Sequence, residues 1–157
     1  MPLLLAGPGF RMSQTGIGLF ALAGVSGAIA APIAGSLADR GWTRPATSLA
    51  MLAAAGAFLL NQLAAPGTTL GIAVLIAAAI ILDFGVQANV VLGFRAIFSL
   101  GAELRGRLNG LYMATFLTAG AGGSAIGGWA YAEGGWRLAA WIGFALPAAA
   151  LAYFATE

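Results

Sequence analysis

The sequence predicts an all-α, polytopic transmembrane helix bundle. Three observations carry that expectation. The 157 residues are 61% hydrophobic and 8% charged, whereas soluble domains are about half apolar and roughly a quarter charged. The polar surface needed to coat a water-soluble globule is not there. The apolar residues also gather into runs close to the ~20 residues that cross a bilayer, and short turns holding most of the charge separate those runs.

Taken in order, residues 1–10, "MPLLLAGPGF", are too short to span and read as the tail of a helix whose beginning is missing. They lack the basic start of a signal peptide, and glycine and proline interrupt their apolar run. The first span covers roughly 16–36. "GSLADRGWTRP" then turns the chain and holds Asp39, Arg40 and Arg44. The second span, roughly 46–64, is slightly short but Ala/Leu-rich and uncharged. An uncharged turn, "NQLAAPGTT", leads to a third span at 69–93. "FRAIFSLGAELRGR" follows with Arg95, Glu103, Arg105 and Arg107. The fourth span, 108–131, is joined to the fifth, 137–154, by "AEGGWR". Together they make one transmembrane domain over 1–157, with five spans and a truncated N-terminal helix.

Orientation follows from the arginines, which concentrate in cytoplasmic loops. Arg40, Arg44, Arg95, Arg105 and Arg107 fall on one side, and only Arg11 and Arg137 on the other. The first side is expected to be cytoplasmic, with the N-terminus outside and the C-terminus inside. Trp129, Tyr131, Trp136 and Trp141 fit the outer interface, and Trp42 the inner one.

Composition excludes much chemistry. The chain has no lysine, histidine or cysteine. It therefore lacks the lysine of a phosphate-binding P-loop, the ligands of a His/Cys zinc site, and a Ser-His-Asp or Cys-His nucleophile. No cofactor, no metal and no enzymatic activity are expected. The net charge of +2 on scattered arginines speaks against nucleic acid. "GIGLFA" and "GAGGSA" match a dinucleotide fingerprint formally, but neither follows a strand. Gly24 and Ala28, and likewise Gly120, Ser124 and Gly128, recur every fourth residue, which is expected to serve close helix packing.

Asp83 stands out among the candidates for function. It lies 12 residues from Arg95, about 18 Å along a helix, and so near mid-membrane. An ionisable group at that depth is costly and by default functional. One reading is a proton- or substrate-binding group, with Gln87 four residues on along the same face. The other is a carboxyl held neutral, or hydrogen-bonded to a neighbouring helix. Asn109, Tyr112 and Thr115 form a second polar stripe, read either as interhelical hydrogen bonding or as substrate contact.

The spacing Gly35-x-Leu37-Ala38-Asp39-Arg40, with Arg44 after it, resembles the loop signature of the major facilitator superfamily. Trp42 and Thr43 stand where that family prefers Gly and Arg. "GAELRGRLNGLYM" is similar to the loop before the family's eleventh helix, and "GAGGSAIGGWAYAEGGW" to the eleventh helix itself. The resemblance covers essentially the whole chain, as helices eight to twelve of a C-terminal half, and is nearest to bacterial drug or sugar efflux permeases. It implies a fragment of a secondary transporter in the bacterial inner membrane. Its expected partners are the lipid bilayer, the missing N-terminal half, a small-molecule substrate and protons. It implies alternating access, with a cytoplasmic gating loop of Gly35, Asp39, Arg40, Arg44, Glu103, Arg105 and Arg107. Asp39 would sit at a helix N-terminus of the other half, and Arg40 and Arg44 would pair with carboxylates. A second reading is a small multi-pass scaffold without transport. A membrane-embedded enzyme fits less well, because Asp83 has no second carboxylate at its depth for paired acid–base work.

Overall fold

The computed structural model describes Ser13, Thr15, Gly18, Val25 and residues 27–65, 68–101 and 103–156. Four helices account for nearly all of them: α1 (Gly27–Asp39), α2 (Thr43–Asn61), α3 (Thr69–Phe98) and α4 (Arg105–Phe154). Among the described residues there is no strand. α2, α3 and α4 are each long and apolar enough to cross a membrane. Most of the stretch 16–26, including Gly24, lies outside the described residues.

Local chemistry sets the helix ends. α1 stops at a left-handed glycine, Gly41 (φ 79°). The Gly41 N–H donates to Ala38 O at 3.0 Å and the Trp42 N–H to Leu37 O at 2.9 Å. That pair of bonds is a Schellman motif, which satisfies carbonyls at the helix end. Pro45 falls in the first turn of α2, where no backbone donor is needed. α3 is capped by Thr68, whose hydroxyl oxygen accepts from the Gly71 N–H at 2.9 Å, a bond that satisfies one free donor of the first turn. α3 runs on to Phe98 and so carries Arg95 in its last turn.

The regions 108–131 and 137–154 form two arms of α4. They meet at Gly135, whose φ of 63° and ψ of −159° break the helical geometry. That conformation is open to glycine and costly for other residues.

α3 lies at the centre and packs against both α1 and α2, while α2 also packs against α4. The core is built of small side chains: Ala30, Ala34, Ala50, Ala88 and Leu92. Lipid offers no hydrophobic gain for helix association, so packing rests on close backbone approach. Gly85 supplies such an approach. A Cβ there would lie 2.8 Å from Ala50 O and 3.3 Å from Ala54 N. The second arm of α4 runs antiparallel to α2, with Gly143 against the Phe58 ring and Phe154 beside Arg44.

One expectation is corrected. Ala28 is exposed, and nothing lies within 4 Å of a Cβ built at Gly120 or Gly128. Every residue from 114 to 126, Ser124 included, is exposed. Among the described residues, the small-residue stripe of α4 packs against no other helix. The contacts it was expected to make fall instead to Gly27, Gly85, Gly93 and Gly143, each of which a neighbouring element approaches too closely for a Cβ.

Candidate functional site

α3 brings Asp83 and Gln87 to one place, the crossing with α1 at Gly27. A Cβ at Gly27 would overlap Asp83 Oδ2 and lie 2.7 Å from Gln87 Cγ. Only glycine leaves room for the carboxyl there. Asp83 Oδ2 is buried without a hydrogen-bond partner, and no basic side chain forms an ion pair with it among the described residues.

The charged turns meet at one end of the bundle. Asp39, at the end of α1, forms an ion pair with Arg95, in the last turn of α3. The guanidinium presents both Nη atoms to the carboxylate, with Nη2 at 3.5 Å from Oδ2. A Cβ at Gly35 would lie 3.4 Å from Arg95 Nη2, in ordinary contact, so the arginine lies across α1 beside this position. Arg44 sits 5.6 Å from the centre of the Phe154 ring, within cation–π range. Arg105 Nε donates to Phe98 O at 3.4 Å. Arg40, Glu103 and Arg107 are exposed and form no ion pair among the described residues.

The residues expected to form a gate therefore share one end, but their pairing differs from expectation. Asp39 is bound within this chain, and Arg44 meets an aromatic ring rather than a carboxylate. The partner that sequence reasoning missed is Arg95, 56 residues from Asp39. Its position at the end of an apolar run was the signal available.

The stripe at the start of α4 divides. Tyr112 lies against Gly93 of α3, donates to Val90 O at 3.4 Å and sits 4.8 Å from Phe94 between ring centroids. Asn109 faces a shallow groove with Val91, Phe94, Arg95 and Phe98. The Thr115 hydroxyl donates to Leu111 O of its own helix. Asp83 and Gln87 are not brought together with Asn109 and Tyr112.

Two larger cavities open between the helices. One of about 860 Å³ is apolar and runs between α2, α3 and both arms of α4, past Phe58, Leu82, Ser124 and Trp136. The other, of about 720 Å³, lies at the arginine-rich end and is lined by Arg44, Asn89 and Tyr112 among others. Neither is lined by Asp83 or Gln87.

Apolar helices packed through glycine and alanine, with the charged turns gathered at one end, define a multi-pass helical membrane protein. Comparison with known proteins narrows the class to transporter-like. Over 136 residues the chain is 35% identical to the uncharacterized transporter YgaY of Escherichia coli strain K12, covering 87% of this chain and 34% of the relative. The same figures hold for the uncharacterized transporter YgaY of Escherichia coli O157:H7. The chain thus spans about a third of the length of these relatives. No protein-family model and no solved structure matches it.

Proposed function

We propose that this chain is the C-terminal part of a secondary active transporter of the major facilitator type, exporting a small molecule in exchange for protons by alternating access. The resemblance of the Gly35–Arg44 turn to the family's loop signature and the similarity to YgaY support the family reading. The observation that carries the mechanism is Asp83. It is a lone carboxyl in the middle of α3, set against Gly27 with one oxygen buried and unpartnered. An ionised carboxylate without a partner is expensive in hydrocarbon. Loading and releasing a proton at Asp83 would therefore change how tightly α1 sits on α3, with Gln87, Asn109 and Tyr112 contributing to proton or substrate contacts. Gly35, Asp39, Arg40, Arg44, Glu103, Arg105 and Arg107 form the gate on the cytoplasmic side of the bacterial inner membrane. The rest of the transporter supplies the other half.

The test is a chimera in which this chain replaces the matching third of YgaY, expressed in an efflux-deficient Escherichia coli strain. Growth is scored across a panel of drugs and sugar analogues. Resistance that disappears with a protonophore and with Asp83→Asn, at unchanged membrane abundance, is the expected outcome. Resistance that survives Asp83→Asn removes Asp83 from proton coupling. A second reading is a multi-pass scaffold without transport. A chimera that is abundant in the membrane yet confers no resistance would support it.

A further inference from the structure

The cavity at the arginine-rich end has a graded lining. Its one charged residue is Arg44, which has no carboxylate partner among the described residues and lies over Phe154. Met51 is seven residues further along α2, about 10 Å deeper, and Asn89 lies at a similar depth on α3, six residues or about 9 Å from Arg95. The Asn89 amide is half-buried and makes no hydrogen bond among the described residues. An amide left unpaired in an apolar setting carries a desolvation cost, which a ligand acceptor would offset. Met51, at that same depth, and Leu92, three residues nearer Arg95, supply apolar wall beside the amide, and Thr43, Thr47 and Tyr112 also line the cavity. The cation lies at the mouth, and the amide donor lies deeper among apolar side chains.

A phospholipid carries the complementary groups: a phosphate, and deeper in the leaflet the ester carbonyls where its acyl chains begin. The geometry points to a binding site for one anionic phospholipid, drawn from the membrane leaflet at this end. Arg44 takes the phosphate, the Asn89 amide donates to an ester carbonyl, and the start of an acyl chain lies against Met51 and Leu92. Basic pockets between membrane helices hold anionic headgroups in this way. A free phosphate shares only the first of these contacts and leaves Asn89 and the apolar wall beside it unmatched. Trp42, 62% exposed and two residues before Arg44, is the residue type that marks the lipid interface.

The test uses the full chain in dodecylmaltoside, titrated with phosphatidylglycerol or phosphatidylcholine and read by native mass spectrometry. One phosphatidylglycerol is retained, with phosphatidylcholine at least about fivefold weaker, the factor expected of a single arginine–headgroup charge contact. Arg44→Ala weakens phosphatidylglycerol by at least about fivefold and Asn89→Leu by about 2- to 12-fold, the loss of one hydrogen bond, with far-UV circular dichroism unchanged. Arg137→Ala, at the far end of the second α4 arm, leaves it as it was. Millimolar glycerol phosphate does not displace the lipid. Equal retention of the two lipids, or unchanged binding in Arg44→Ala, overturns the site. Displacement by glycerol phosphate overturns the lipid assignment in favour of a free phosphate.

Discussion

Replacing Gly85 by alanine tests whether close backbone approach holds the bundle together. The added Cβ would meet Ala50 O at 2.8 Å and Ala54 N at 3.3 Å. Both are backbone atoms of α2 and cannot rotate away. Ordinary contact begins at 3.4 Å, so α2 and α3 must part by about 0.6 Å. A gap of that size forfeits a quarter to a half of each dispersion contact it opens. Here the affected contacts include the buried Ala50, Ala54 and Ala88. Overpacking of this kind costs about 1–3 kcal/mol, from which a helix-propensity gain of about 0.5–1 kcal/mol is subtracted. Gly56, on α2, has nothing within 4 Å of its Cβ position, so Gly56→Ala shows the gain alone. The two alanines should therefore move stability in opposite directions. Unfolding of the purified chain in mixed dodecylmaltoside–SDS micelles, followed by tryptophan fluorescence, reads the difference. A Gly85→Ala variant as stable as Gly56→Ala would refute the close crossing.

Gly27→Ala should destabilise by about 1–3 kcal/mol, because the Cβ displaces the Asp83 carboxyl. In an Asp83→Ala background the part of that penalty due to the carboxyl should vanish, leaving the 2.7 Å approach of Gln87 Cγ, and a double-mutant coupling below about 0.5 kcal/mol would show that Gly27 and Asp83 do not touch. Gly135→Ala adds a side chain into open space, so any loss is the backbone strain of φ 63°, about 1–3 kcal/mol; unchanged stability in the same unfolding assay would contradict the kink. For Asp39→Asn, the loss should stay below about 1 kcal/mol, since the Arg95 and Asp39 side chains are 48% and 61% exposed. In the chimera it should slow transport while leaving substrate binding intact, and exchanging the two charges (Asp39→Arg with Arg95→Asp) should recover the rate.

The helical membrane architecture was legible because lipid demands long apolar runs, and such runs are one-dimensional objects. The place of Asp83 in the middle of α3 could likewise be counted from Arg95. What faces Asp83 could not, because the register of α1 against α3 is fixed by side-chain fit and leaves no periodic trace near Gly27. The spacing of Gly120, Ser124 and Gly128 says that one face is small, not that a partner helix covers it; in this chain they border the apolar cavity. "AEGGWR" reads as a loop by composition. In the fold its Gly135 is a sharp bend between two arms that otherwise keep helical geometry. The Asp39–Arg95 pair joins residues 56 apart, and only the packing of α1 on α3 brings them together.

Permanence and switching call for different contacts, and the chain separates them along its length. At Gly85 and Gly143, backbone or aromatic atoms fill the space a side chain would need, and opening such a crossing by about 0.5–1 Å forfeits a quarter to a half of every dispersion contact across it. The Asp39–Arg95 pair joins two half-exposed groups and holds by no more than about 1 kcal/mol. A gate that opens on every cycle must be cheap to break relative to the helices it connects. The charged end meets that requirement and the glycine crossings do not. In the proposed cycle, α2, α3 and the second arm of α4 therefore move as one body, and the rearrangement falls on α1 and on the turns that carry Asp39, Arg44 and Arg105, with Asp83 altering the α1–α3 contact from within.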